Sequence, residues 1–226
     1  MNKVRHFKYT DILIGIAFTV LFISIAVIIT INFRPLYYLD VNLLDIEQRS
    51  GLPKEEILEN YNALIDYSSP FFKGSLQFPT LTASKSGLQH FEEVKDIFTA
   101  FYILAATSLA AVVCIILYKA KRRDISYLPV SAVTAVLLPS ILSALIMINF
   151  DRAFLLFHKL FFKNDLWLFD PTTDPVITIL PDTFFLHCAM MIIFLVILGS
   201  IVLFVIYHFR KRHIGIKYRK MPNIKV

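Results

Sequence analysis

Apolar residues along this 226-residue chain are gathered into long blocks instead of alternating with polar ones. Four blocks, at about residues 12–31, 97–118, 127–148 and 184–207, run for some 20 residues each with almost no charge. A helix rising about 1.5 Å per residue needs about 20 apolar residues to cross a hydrocarbon core of about 30 Å, so each block is predicted to be a transmembrane helix. The first follows Lys3, Arg5 and Lys8, as a secretory signal would. It is longer than a signal's apolar region and no small-x-small cleavage site follows it, so it reads as a retained signal anchor. Pro139 interrupts the third block and is expected to kink that helix.

Two polar segments, about 32–96 and 149–183, separate the blocks. The first opens with Phe33-Arg34-Pro35-Leu36-Tyr37-Tyr38, an aromatic and cationic run suited to the headgroup layer. Pro53, Glu55 and Glu56 then mark a helix start. Ile57, Leu58, Tyr61, Leu64 and Ile65 recur at helical spacing, which predicts an amphipathic helix to about Tyr67. Another helix is expected to begin near Gly87 and run into the second block. In the second segment, residues 150–162 read as a short aromatic helix near the membrane surface. Residues 164–183, with four Asp, three Pro and the only Trp, read as loop.

Charge sets the orientation. The N-terminal tail, the 119–124 link and the tail from His208 hold 14 of the 23 Lys and Arg residues and only two acids, Asp11 and Asp124. Basic flanks stay inside, so both termini are expected in the cytoplasm and the two long segments outside. The net charge of +6 is then a membrane-surface feature, with anionic lipid headgroups and not nucleic acid as its partner. Composition agrees: 57% of residues are hydrophobic, 18% are charged against about a quarter in soluble domains, and mean hydropathy is +0.64. The expectation is one all-α polytopic membrane domain over 1–226, with four transmembrane helices and an extracellular helical and loop cap. Cys114 and Cys188 fall about 20 Å apart in depth, beyond disulfide reach.

Topology sorts the six histidines. His6, His208 and His213 lie in basic cytoplasmic flanks, and His187 lies about one turn inside the fourth block. His90 lies about two turns before the second block and His158 about two turns after the third, so both are expected at one depth in the outer headgroup layer. A histidine pair there can serve as base and acid, or can be two wetted interface side chains. Glu93 is at i+3 from His90 and can share its helix face. Asp151 is about 10 Å along the helix from His158, too far to bond it, and is placed to pair with Arg152 or cap the surface helix. Arg34 either snorkels to the headgroups or grips an ester or phosphate with its forked donors. No Gly-x-Ser-x-Gly elbow, Walker A loop or His-Glu-x-x-His motif is present, and the blocks carry no mid-span charge for an ion pathway.

Several runs together resemble the lipoprotein intramolecular transacylase family of Gram-positive bacteria. They are Phe-Arg-Pro-Leu-Tyr-Tyr after the first block, Gln-His-Phe-Glu-Glu-Val-Lys-Asp before the second, and an outer signature. That signature comprises residues 150–154, 157–162, Asn164-Asp165-Leu166-Trp167, and Ile-Leu-Pro-Asp-Thr-Phe-Phe at 179–185. The resemblance covers essentially the whole chain and departs at Glu93, where the family tends to place Asp. It implies a bacterial cell-membrane acyltransferase that moves the sn-2 acyl chain of a diacylglyceryl-cysteine lipoprotein to that cysteine's own α-amine, giving the lyso form. His90 and His158 match the family's two histidines, His90 being expected as the base. Arg34, Tyr37, Tyr38, Asp151, Arg152 and Trp167 are expected to bind substrate at the outer face. Diacylated lipoproteins and membrane lipids are the expected partners, with no cofactor and no metal. The alternatives are another outer-leaflet acyltransferase or esterase, a non-catalytic lipoprotein-binding partner, and a structural zinc site at the histidines.

Overall fold

The computed structural model of the protein describes residues 8–219. Lys3, Arg5 and His6 lie outside them, and so does the side chain of His213. Nine helices and no strand occur among the described residues. They are α1 (Tyr9–Asn32), α2 (Arg34–Leu43), α3 (Ile46–Ser50), α4 (Lys54–Ser68), α5 (Lys85–Lys121), α6 (Tyr127–Ile148), α7 (Phe150–Phe161), α8 (Val176–Ile179) and α9 (Asp182–Arg219). Three of them, α1, α5 and α9, are long and apolar enough to cross a membrane. The block expected as the third span is helical throughout as α6, which continues through Pro139, while its described apolar run, Tyr127–Ile141, is shorter.

Chain contacts define two compact units. One comprises residues 1–24, 104–141 and 193–226. Phe18, Leu21, Val112, Tyr127, Leu128, Ala132 and Leu203 form its core. Helices approach closely at Gly15, where a Cβ would lie 2.7 Å from Thr134 Oγ1, and Ser200 Oγ donates to the Ala132 carbonyl at 2.7 Å. Lys119 is buried here with two carboxylates, Asp11 at 2.9 Å and Asp124 at 3.2 Å, and Ser126 Oγ donates to both acids. A buried ammonium persists only with such partners. Ile103 and Leu109 on α5, Leu137 on α6 and Phe194, Ile201 and Phe204 on α9 remain exposed, in the first and second unit alike. Apolar surface on that scale, set on helices of spanning length, requires lipid as its solvent.

The other unit, residues 25–103 and 142–192, carries the polar chemistry. The Phe33–Tyr38 run, expected at the headgroup layer, instead starts α2, with Pro35 in its first turn. Tyr37, Asp40 and Val41 repeat at three and four residues and all point inward. Tyr37 is completely buried, its ring stacked on Tyr61 of α4 with centroids 3.7 Å apart, and Phe184 of α9 meets both rings edge-on. The Tyr37 hydroxyl donates to the Ile179 carbonyl of α8 at 2.6 Å. Buried Asp40 is matched by His187 of α9, whose Nδ1 lies 2.8 Å away. The amphipathic helix expected to about Tyr67 is α4, and its Ile57, Tyr61, Leu64 and Tyr67 enter the same core. Asn60, fully buried, pins the connection that follows α4: its Nδ2 donates to Thr80 Oγ1, and its Oδ1 accepts from the backbone of Thr80 and Leu81. Backbone that forms no ladder is ordered this way when a buried amide satisfies its donors. The stretch 164–183, expected as loop, holds the one-turn α8, whose Val176 and Ile179 are fully buried.

Candidate active site

The start of α5 is fixed by the segment that precedes α8. Ser84 Oγ accepts the Gly87 backbone N–H, and the Ser84 backbone N–H donates to Asp174 Oδ1 at 2.8 Å. Asp174 lies so close that a Cβ on Gly87 would meet its Oδ1 at 2.2 Å, so only glycine fits. One turn further on, His90 turns inward and is 4% exposed. Phe162, Phe169 and Phe91 wall it at ring centroid distances of 4.7, 5.4 and 5.9 Å.

His158 comes to the same place from α7. Asn149 caps that helix by accepting the Arg152 backbone N–H at 2.8 Å, a cap the sequence reading had sought from Asp151. Leu156 and Leu160 leave α7 toward the outside, while His158 is 9% exposed, with Phe154 and Trp167 against its ring at 4.3 and 4.7 Å. The two imidazole centroids are 6.2 Å apart and their planes are inclined by 32°. Rings at that spacing are too far apart for a direct hydrogen bond between them.

Their environments differ. His158 Nδ1 lies 2.9 Å from the Phe154 carbonyl. A carbonyl only accepts, so Nδ1 carries the proton and, in the neutral ring, Nε2 holds a lone pair. Burial lowers the pKa of His158, but the Phe154 carbonyl and Asp182 act the other way and favour its cation. Burial, followed by the neighbouring His158, pushes His90 down to about 4, with nothing acting in the opposite direction. His90 is therefore the member held neutral. Its Nδ1 is buried and has no hydrogen-bond partner among the described residues, and Glu93 Oε2 is in the same condition. Glu93 Oε1 accepts from Asn164 Nδ2 at 2.8 Å.

Of the side chains expected to bind substrate, only Trp167 joins the pair, and its Nε1 donates to the Asn164 carbonyl. Arg34 bonds Asn62 and Asp66 on α4, and Tyr38 donates to Asn62 at 2.9 Å. Together with the buried Tyr37 they tie α2 to α4 and α8. Asp151 and Arg152 are exposed at the opposite end of α7 from His158. Phe162, Phe169, Asn164 and Asp174 complete the site without having been anticipated. Gly87 was the one local signal for Asp174, being a helix-start glycine with no turn to make. Among the described residues no three His, Cys, Asp or Glu side chains converge as a metal site would need.

Comparison with known proteins places the chain in a family. The profile of the lipoprotein intramolecular transacylase family, Lit, matches residues 12–185. A solved structure of the membrane integral lipoprotein intramolecular transacylase Lit from Bacillus cereus superimposes with a TM-score of 0.87 at 32% identity, covering 92% of this chain and 99% of that one. Two variants of the same Bacillus cereus protein also match at 32% identity. One has a histidine replaced by alanine, with a TM-score of 0.84 over 91% of this chain and 94% of that one. In the other the histidine is replaced by arginine, with a TM-score of 0.81 over 95% and 96%. No curated protein matches the chain. The chain belongs to the lipoprotein intramolecular transacylase family and is a membrane-integral enzyme.

Proposed function

We propose that this enzyme moves the sn-2 acyl chain of a diacylglyceryl-cysteine lipoprotein onto the α-amine of the same cysteine, and that His90 and His158 conduct the reaction. The observation that carries the proposal is the unequal histidine pair, with one tautomer fixed by a backbone carbonyl and the other ring held neutral. The amine nitrogen attacks the ester carbonyl carbon, a C–N bond forms, and the bond between that carbonyl carbon and the sn-2 oxygen breaks, leaving the oxygen on the glyceryl carbon. The proton leaving nitrogen passes to the sn-2 alkoxide, so substrate and product are isomers and no co-reactant is consumed. An ester becomes an amide, which is downhill.

In this proposal the roles are the reverse of those expected from sequence. His158 is the better proton carrier, because its Nε2 is free to accept and Phe154 and Asp182 support the cation. It takes the amine proton and returns it to the leaving oxygen, as one positioned imidazole can. His90, neutral and with an unpartnered Nδ1, donates N–H to the carbonyl oxygen as negative charge develops there. Trp167 and Phe162 hold both rings in register. Nucleophile and ester belong to one molecule, so seating it between the rings supplies most of the proximity the reaction needs.

The same proposal includes four membrane crossings at about 12–31, 97–118, 127–148 and 184–207, cytoplasmic termini, and the histidines at the extracellular face. The basic flanks support the orientation, and the exposed Leu156 and Leu160 support α7 lying along the lipid surface. Purified protein given a diacylated lipopeptide in one reaction and free phospholipid in another tests the substrate class. Conversion of the lipopeptide alone is expected, and conversion of phospholipid alone would make this a general lipid acyltransferase.

A further inference from the structure

Glu93 follows His90 by three residues on α5, so both side chains face the corner where α7 ends. His90 packs on Phe162 there, and Glu93 Oε1 is fixed by the Asn164 amide. The second carboxylate oxygen, Oε2, is buried with no donor among the described residues, and His90 Nδ1 is likewise without a hydrogen-bond partner. Leaving a buried polar atom unpaired costs about 1–3 kcal/mol, more for a charged one, so native folds keep few of them without a use. No Lys or Arg pairs with Glu93 among the described residues. The position therefore offers a fixed anionic acceptor beside an imidazole and has no cation of its own.

A primary ammonium complements it: one compact positive charge and three N–H donors. A phosphate or carboxylate would meet like charge, and an amide brings one donor and no charge. We propose that the Glu93 carboxylate, beside His90, is the subsite for the free α-ammonium of the lipoprotein's N-terminal cysteine, and that it makes the enzyme select lipoproteins with an unmodified amine over N-acylated ones. This rests on the acyl-shift reading above. The subsite sets the nitrogen next to the histidine pair, where His158 receives its proton, and acylation then erases the charge that held it. The product is bound more weakly than the substrate, and lipoproteins already carrying an N-acyl group are refused.

The test uses the full chain in detergent and two lipopeptides with ether-linked glyceryl chains, which cannot transfer: one with a free α-amine, one N-acetylated. The wild type should bind the free-amine form about tenfold more tightly, equivalent to about 1.4 kcal/mol. Glu93→Gln, which keeps the Asn164 contact, should bring the two within about twofold, and for the ester-linked lipopeptide should raise KM more than it lowers kcat. Equal wild-type binding of the two forms, or a preference that survives Glu93→Gln, overturns the subsite. Should that variant not fold, Glu93→Met replaces it: without the carboxylate the preference should fall to within about twofold, and an unchanged preference overturns the proposal. Turnover of the ester-linked lipopeptide by the wild type separates the two claims. Without turnover the acyl-shift reading fails, whereas turnover without amine preference removes only the subsite.

Discussion

His158 donates its Nδ1 proton to the carbonyl of Phe154, one turn earlier on α7, at 2.9 Å. The helix thereby does for its own histidine what a buried carboxylate does in many hydrolases: it fixes the tautomer and leaves the lone pair on Nε2. His90 has no such support, and burial makes its cation costly. The asymmetry of the pair follows from these two facts, and it separates the consequences of altering each ring.

Replacing His158 by Asn or Ala should lower the rate of acyl transfer by about 100- to 10,000-fold, the usual weight of a general base. At His90 the outcome should depend on the replacement. Alanine removes the oxyanion donor, a loss of about 100- to 1,000-fold, whereas Gln keeps an N–H donor and should recover about tenfold of that. Turnover of a synthetic lipopeptide checks this. Equal inactivity of His90→Gln and His90→Ala would return the base role to His90.

The pH profile carries the same distinction. Because His90 is pushed down to about 4, it stays neutral through the physiological range and its protonation does not limit the rate above about pH 5. The free α-amine, with a pKa near 7.7–8.0, must lose its proton before it attacks. Because the ammonium is the bound form and His158 removes its proton, log kcat/KM should climb with unit slope up to the pKa of His158, which lies below its ordinary value, and should fall again above about pH 8 as free ammonium is lost. A single inflection near 6.5 with no limb at 8 would contradict this.

Tyr37→Phe separates architecture from binding. The variant keeps the stack on Tyr61 and loses the hydroxyl's bond to Ile179, leaving that carbonyl short of one donor. Stability should fall by about 1 kcal/mol, seen as a lower thermal midpoint in detergent, with KM for lipopeptide unchanged. A raised KM at unchanged stability would place Tyr37 at the substrate.

Gly87→Ala drives a methyl group into Asp174. Relieving that overlap displaces the carboxylate from the Ser84 backbone, six residues before His90. A stability loss of about 1–3 kcal/mol is expected, together with a fall in kcat at temperatures where the protein remains folded. A fully stable and active variant would show that this lock does not hold the site.

Much of this was legible in the sequence, and the parts that were not share a cause. The apolar blocks announce themselves by length alone, and counting turns from their ends put His90 and His158 at one depth without any contact being known. The helix starting at Pro53 was readable from local chemistry, as was the aromatic helix at 150–162. By contrast, Phe33-Arg34-Pro35-Leu36-Tyr37-Tyr38 has the composition of an interface run, and its burial depends on partners far along the chain: Tyr61, Ile179 and Phe184 for Tyr37, and His187, 147 residues away, for Asp40. The contacts of Arg34 and Tyr38 with Asn62 lie equally beyond what local sequence can show. The same holds for the histidines, since residue type announces a base, and only the surrounding carbonyl, carboxylate and rings decide which of the two carries the proton.

The central claim is tested most directly by mass spectrometry of lipoprotein N-terminal peptides. Bacterial cells with diacylated lipoproteins would express the wild-type chain or, in parallel, His158→Ala at matched membrane levels. The account predicts that the wild type shifts these peptides to N-acyl, S-monoacylglyceryl cysteine and that the variant leaves them diacylated. Unmodified diacylated peptides with the wild type present in the membrane, or full conversion by the variant, would contradict it.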